Sequence, residues 1–235
     1  MKKTAYLLFF LLSGCDFLDN LTSFLEPKFK GKAYIVNTRH NPGSYIRIKS
    51  ELQSFGVTCN EFNSADLPSI KQHRKIWQKI VDGDETQIMI LEDNVYFEKK
   101  FKRRLQQYMQ DLPQDWDIAF LVIGRENNKY GCFISVGDIF RDIDEVKGHP
   151  YVAQIQKTNR VYGLYGYVIN KKGAEKLLNI TKNTSTDISD TIFQKGGINT
   201  GYIKAYVSMF KLLEPKLTKA ELDEIEKRSI GQHNE

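Results

Sequence analysis

Gln87-Ile88-Met89-Ile90-Leu91, followed at once by Glu92-Asp93-Asn94, is the stretch that decides how this chain folds. The first five residues form an apolar run of strand length, introduced by the turn-forming Asp82-Gly83-Asp84. A strand this apolar reads as buried, and two acids and an amide stand at its carboxyl end. In open α/β sheets that end is where ligands bind. Carboxylates at the rim can hold a divalent cation, and hard oxygen donors suit Mg²⁺ or Mn²⁺, ions that also bind phosphates. A metal–diphosphate site at Glu92, Asp93 and Asn94 is therefore the first expectation. The other reading is a helix N-cap or a solvated turn. Strand geometry sends Glu92 and Asn94 to one face and Asp93 to the other, whereas a turn here lets two of the three converge.

Outward from this stretch, apolar runs and helical periodicity alternate. The expected elements are strand 33–37, helix 44–54, strand 57–62, helix 69–81, strand 87–91, helix 97–110 and strand 117–122. Such alternation argues for an α/β domain, a mostly parallel central sheet flanked by helices. Residues 125–160 are polar, with several glycines and Pro150, and read as an irregular loop or lid. A strand at 164–169 follows, then Asn170 as N-cap of a helix over 171–180. Thr218-Lys219-Ala220-Glu221 is a capping box that opens a charged terminal helix.

Composition narrows the class. With 235 residues and 41% hydrophobic content the chain can bury a sizeable core as one domain. A net charge of +5 agrees with anionic ligands or a lipid surface and is far from a nucleic-acid signature, so no nucleic-acid partner is expected. Lys99, Lys100, Lys102, Arg103 and Arg104 lie on a helix whose apolar positions Phe97, Phe101, Leu105, Met109 and Leu112 keep helical spacing. They read as a solvated face, the alternative being a site for phosphates or headgroups.

Several segments then stand in a specific order. Ala33-Tyr34-Ile35-Val36-Asn37 opens it, followed by Arg47, Gly56-Val57, His73 and Trp77. Ile90-Leu91-Glu92-Asp93-Asn94-Val95 and Asp115-Trp116-Asp117-Ile118 come next. Gly166-Tyr167-Val168-Ile169, Lys172-Gly173-Ala174-Glu175-Lys176-Leu177 and the acidic pair Asp187 and Asp190 complete it. From Lys32 to about Val207 the chain thus resembles glycosyltransferase family 25, the group of lipooligosaccharide glycosyltransferases and collagen galactosyltransferases. The resemblance implies a GT-A-like, Rossmann-type nucleotide-diphosphosugar transferase domain.

The resemblance also implies transfer of a hexose, galactose the first choice, from a nucleotide sugar such as a UDP-hexose to a glycan or glycolipid acceptor, lipooligosaccharide being one. Displacement would be inverting and assisted by Mn²⁺ or Mg²⁺. Asp190, with Asp187 the near alternative, matches the late acid that would take the acceptor proton; three residues apart on a helix, they share a face. The other reading of both is helix capping. By the same likeness Asn37, Thr38 and Arg39 would meet the base or ribose. Arg47 reads as a fixed cation for the diphosphate or as a helix-surface arginine, and Gly166 as a close backbone approach to the sugar or a bulge. The chain departs from the family pattern at Asn94, where a third carboxylate is usual, and at Gln72, where a serine usually precedes the histidine. An amide oxygen ligates a hard cation but brings no charge, so weaker metal affinity, a different donor or lost activity are all open.

The N-terminus reads separately. Met1-Lys2-Lys3 is basic, Ala5 to Leu12 is a short apolar run, and Leu12-Ser13-Gly14-Cys15 matches a bacterial lipoprotein cleavage box. Residues 1–15 are then a signal peptide, 16–31 a tether and 32–235 the catalytic-type domain, with Cys15 lipidated and the protein anchored to a membrane. The other reading is an unprocessed hydrophobic helix lying on a membrane, on the cytoplasmic face or in a lumen. Export sits badly with a bacterial supply of nucleotide sugars, which is cytoplasmic. A catalytically inactive glycan- or nucleotide-binding lipoprotein, or a structural one, stays open beside the enzyme.

Overall fold

A computed structural model describes residues 29, 31–36, 42–62, 69–125, 143–155, 161–183, 192, 197–198 and 200–216. Through the first half, strands and helices alternate: β1 (Lys32–Val36), α1 (Pro42–Ser54), β2 (Cys59–Phe62), α2 (Ser69–Asp82) and β3 (Gln87–Glu92). The short β4 (Val95–Phe97), α3 (Phe101–Asp111) and β5 (Ile118–Arg125) follow. The second half holds β6 (Ile143–Glu145), β7 (Val152–Ile155), β8 (Val161–Asn170), α4 (Lys171–Ile180), β9 (Ala205–Ser208) and β10 (Leu213–Pro215).

Eight strands build the main sheet in the order β2-β1-β3-β8-β5-β9-β7-β6, and β10 pairs with β4 apart from it. β8 runs antiparallel to both β3 and β5, and β7 runs antiparallel to β9 and β6. The other six strands share one direction, as the alternation of strands and helices predicts. Helices cover both faces. On one side Ile76, Trp77 and Ile80 of α2 and Ala174 and Leu177 of α4 pack on Val36, Ile88, Ile90, Phe120 and Tyr167. On the other, Ile48 and Leu52 of α1 and Phe101, Leu105 and Tyr108 of α3 pack on Ile35, Met89, Leu91 and Val168. Burial on both faces is why β3 reads as an unbroken apolar run. Among the described residues no helix is long and apolar enough to cross a membrane.

Three expectations need correction. The helix expected from 97 starts at Phe101, because Val95–Phe97 pair with Leu213–Pro215 and are extended. The stretch 125–160 is not wholly irregular: β6 and β7 extend the sheet beyond β9. β9 and β10, for which no element was expected, complete the two sheets. The capping box at Thr218 and the whole N-terminal stretch lie outside the described residues.

α4 starts as expected. The Asn170 side chain accepts from the Gly173 N–H at 2.7 Å, and its amide nitrogen donates to the Trp116 carbonyl. A side chain on Gly173 would stand 2.2 Å from the Asp117 carbonyl oxygen, so only glycine lets the helix start against β5. Asp117 itself is fully buried; its Oδ2 accepts the Lys204 N–H at 2.8 Å and pairs with the Lys176 ammonium.

Candidate active site

β1 has β2 on one side and β3 on the other, both parallel to it. The chain leaves β1 for β2 and returns across it to β3, so the carboxyl ends of β1 and β3 form a switch point of the kind where α/β sheets bind ligands. Val36, at the end of β1, is paired with Glu92, at the end of β3. Residues 92–94 therefore leave the sheet beside Val36, the last described residue before the segment 37–39 singled out in the sequence. Asn37, Thr38 and Arg39 themselves lie outside the described residues.

β3 ends at Glu92, and Asp93 and Asn94 form a turn before β4. Glu92 is half-buried, whereas Asp93 is 1% and Asn94 6% exposed. Two backbone bonds and one from a side chain hold this turn and its exit. The Asp93 N–H donates to the Val36 carbonyl at 3.1 Å, the Lys216 N–H donates to the Asn94 carbonyl at 2.8 Å, and Arg47 Nη2 donates to the Val95 carbonyl at 2.7 Å. Arg47 also pairs with Glu51 at 3.2 Å, and its guanidinium lies 4.0 Å from the centre of the Tyr96 ring. Arg47, expected at a diphosphate, thus has partners of its own that tie α1 to the residue after the acidic turn.

Asn94 Oδ1 is buried and has no hydrogen-bond partner. An orphaned buried acceptor costs about 1–3 kcal/mol. A hard cation is one group that would satisfy it, and the neighbouring carboxylates of Glu92 and Asp93 are the donors such an ion prefers. The residues present therefore fit Mn²⁺ or Mg²⁺ in chemistry, with one charge fewer than three acids would give. Among the described residues no group of three or more His, Cys, Asp and Glu stands together, so the candidate donors there are these consecutive three.

Behind Glu92 lies a buried polar cluster. The Tyr167 hydroxyl is 2.8 Å from His73 Nδ1 and accepts from Trp77 Nε1 at 3.0 Å. All three side chains are fully buried. Burial pushes His73 down to about 4, so its ring is neutral, and its Nε2 has no partner. Burial, with the Glu92 charge adding to it, pushes Tyr167 well above the ordinary tyrosine range. In the sequence His73 and Trp77 stand only as two of the ordered segments. Their spacing of four on α2, with a tyrosine on a core strand, was the available signal for the cluster.

Gly166 is buried in β8, opposite Leu91. A side chain there would meet Leu213 Cδ1 at 2.4 Å and Leu91 Cδ2 at 3.1 Å, so close packing accounts for this glycine without a ligand. Asp187, Asp190 and Cys15 lie outside the described residues. Ile192, two residues beyond Asp190, is buried in the core on the α2 and α4 side.

Residues 70–192 match the family model described as glycosyltransferase family 25 (LPS biosynthesis protein). Procollagen galactosyltransferase 1 of Danio rerio is similar at 32% identity over 116 residues, 48% of this chain and 17% of that protein. Procollagen galactosyltransferase 1-A of Xenopus laevis is 32% identical over 204 residues, 68% of this chain and 31% of its own length. A probable inactive glycosyltransferase 25 family member 3 of Bos taurus is 28% identical over 109 residues, 45% of this chain and 16% of that protein. The chain spans less than a third of the length of each of these relatives. The matched stretch runs from α2 through the acidic turn to Ile192, just over half of the chain, and on that extent the chain belongs to glycosyltransferase family 25.

Proposed function

We propose that this protein is a hexosyltransferase that moves a sugar, galactose the first choice, from a nucleotide diphosphate sugar such as a UDP-hexose to a glycan or glycolipid acceptor. One observation carries the reading: an acidic turn leaves the sheet at its switch point, inside the stretch that matches the family. Glu92, Asp93 and Asn94 would hold Mn²⁺ or Mg²⁺. When bound, such an ion supplies positive charge that offsets the charge gathering on a departing diphosphate.

The chain's own residues do the rest. The acceptor oxygen bonds to the anomeric carbon from one side while the bond to the diphosphate breaks on the other, which inverts the centre. The acceptor proton passes to a carboxylate within hydrogen-bond reach, Asp190 on this reading and Asp187 as the alternative. Ile192 is buried in the core cluster that also holds Val36 and Ile90, the strand-end residues beside the acidic turn. Arg47 serves by fixing the Val95 carbonyl, and with it the exit of the turn. The strand β5, parallel to β3, ends at Arg125 on the same edge as the acidic turn. Membrane attachment through a lipidated Cys15 and the tether 16–31 would place the enzyme beside a glycolipid acceptor.

A second reading has a specific observation behind it. Asn94 replaces a charged ligand, and one relative carries the description probable inactive. A binding protein without turnover would keep the switch-point site and lose the reaction. A panel of nucleotide sugars, each with and without Mn²⁺, separates these readings by thermal shift and by released nucleotide. Binding with turnover supports the transferase, binding alone the inactive protein, and no binding sinks both.

A further inference from the structure

We propose that the first turn of α3, with the two lysines before it, is a docking surface for anionic lipid headgroups. Lys99, Lys100, Lys102, Arg103 and Arg104 put five cations into six positions around Phe101. The chain holds 34 Lys and Arg against 29 Asp and Glu, so without these five the two counts are equal. Lys99, Lys100, Lys102 and Arg103 are exposed, and none of the four has an ion pair with another described residue. Glu98, the acid next to them, is paired with Lys211 at 3.3 Å, and Lys211 also pairs with Glu214 at 3.0 Å. Arg104 is tied down: its Nη1 donates to the Lys211 carbonyl at 3.0 Å, and its guanidinium lies over the Phe210 ring.

These charges stand at the wrong end of the helix for its stability. A helix N-terminus is the positive end of the macrodipole, where acids stabilise and cations repel. α3 has no acid in its first turn, no cation in its last and no side-chain cap at Lys100. Helix stability therefore does not account for the cluster, whereas an anion beside it is drawn by the side chains and the dipole together. Four exposed, unpaired cations call for several anionic groups spread over a surface, which a layer of lipid phosphates supplies. Duplex DNA offers similar charge, but a chain balanced outside this turn lacks the broad basic face of a nucleic-acid binder.

The place of the cluster in the fold fixes what docking presents. α3 follows the carboxyl end of β3, packs on the sheet and leads to the start of β5, so its first turn lies toward the edge of the acidic turn. β4, three residues and about 10 Å long, lies between that turn and Glu98. The Glu98 N–H donates to the Leu212 carbonyl at 3.1 Å and the Lys216 N–H to the Asn94 carbonyl at 2.8 Å, so the β10 segment holds both ends of this span. Headgroups bound here face the edge that carries the candidate donor site, within reach of a glycolipid sugar. That consequence rests on the proposed function; the docking itself does not.

The test sediments the full chain with vesicles of phosphatidylcholine, alone or mixed with phosphatidylglycerol, and no nucleotide sugar. Wild type should prefer the anionic vesicles and lose that preference in high salt. Each cation near a charged surface is worth about fivefold in affinity, so K99Q/K100Q/K102Q/R103Q should bind them up to about several hundred-fold more weakly. Its binding to neutral vesicles should match wild type. Its melting temperature should hold or rise, since cations have left the positive end of the helix. K71Q/K75Q/K79Q/K172Q removes the same charge from exposed positions of α2 and α4, on the other face of the sheet, and should keep the preference. The proposal is overturned if the first variant keeps the preference or the second loses as much. Competition by inorganic phosphate beyond sodium chloride of equal ionic strength marks a discrete phosphate site and also overturns it. So does tighter retention of duplex DNA than of vesicles by the same four residues. Vesicle binding of this kind without sugar transfer would count against the proposed function alone.

Discussion

The Asp93 N–H donates to the Val36 carbonyl at 3.1 Å, so the parallel ladder between β1 and β3 runs one residue beyond the last strand position. The backbone of the acidic turn is thereby fixed to the rigid sheet before the side chains have any part in it. A site built on a strand end holds its groups more closely than one carried by a free loop. This bond is also independent of the Asp93 side chain, so a substitution of that side chain leaves it in place.

Asp93→Asn should accordingly keep the fold and lose the chemistry. The substitution retains shape and removes one charge from the candidate cation site. Stabilisation of the leaving group by a metal is worth several kcal/mol, and each 1.36 kcal/mol is tenfold in rate, so turnover should fall by at least about 100-fold. Near-wild-type circular dichroism with lost Mn²⁺-dependent nucleotide release is the expected pair of results. Normal turnover in this variant removes the metal assignment.

Asn94→Asp tests the missing charge from the other side. Position 94 is 6% exposed, and a carboxylate buried there without a partner is costly. The variant should melt lower than wild type in EDTA and regain stability as Mn²⁺ is added, because an ion that binds only the folded state stabilises it by mass action. Its Mn²⁺ affinity should exceed that of wild type. A melting temperature indifferent to Mn²⁺ would show that no cation sits beside residue 94.

His73 gives the fold an acid limit. Its folded pKa of about 4 lies below the ordinary 6.5, so between those values the unfolded chain binds a proton that the folded chain does not. Stability from this group is complete above pH 6.5 and is lost as pH falls toward 4. The loss amounts to about 3 kcal/mol. Urea unfolding of wild type and H73N at pH 7 and pH 4.5 checks it. The difference between the two proteins should narrow or reverse at the lower pH, and a constant difference would place the histidine in contact with solvent.

How far the sequence showed all this depends on the length scale of the signal. Gln87–Leu91 announced β3 because a strand covered on both faces has no polar alternation to confuse it. Asn170 announced α4 because a cap is a local hydrogen bond between near neighbours. Val95–Phe97 did not announce β4, since its partner is more than a hundred residues away at Leu213–Pro215 and a three-residue strand has no period to read. The same holds for Tyr167, whose hydroxyl meets two residues of α2 about ninety positions earlier. Nothing near Arg47 in the sequence points to the Val95 carbonyl, forty-eight residues on, that its Nη2 holds. The acidic turn was legible as chemistry, and its seat at the switch point became visible only with the strand order.

Asp117 should prove a structural residue despite its charge. It is fully buried at the start of β5, and its Oδ2 serves both the Lys204 N–H and the Lys176 ammonium. Asp117→Ala leaves a mostly buried ammonium and a backbone N–H without partners, and breaking a buried pair from one side costs about 3–5 kcal/mol. The midpoint of urea unfolding should drop accordingly. Adding Lys176→Met to the same chain should recover part of the loss, because the stranded charge is then gone. Equal stability of the single and double variants would mean that the ion pair contributes nothing.

Asp190→Asn is the variant that addresses the reaction step itself. A general base acts on the acceptor proton and not on the nucleotide, so its loss should appear in kcat and leave donor affinity nearly unchanged. General-base catalysis contributes about 10²–10⁴-fold, and a fall of that size is expected. Donor hydrolysis in the absence of acceptor should fall less than transfer, because water can lose its proton to solvent. The same substitution at Asp187 separates the two acids. If Asp187→Asn carries the loss in kcat and Asp190→Asn does not, the base is reassigned by three residues. Should both variants bind donor more weakly with kcat preserved, the pair contacts the donor and the proton acceptor must be sought elsewhere.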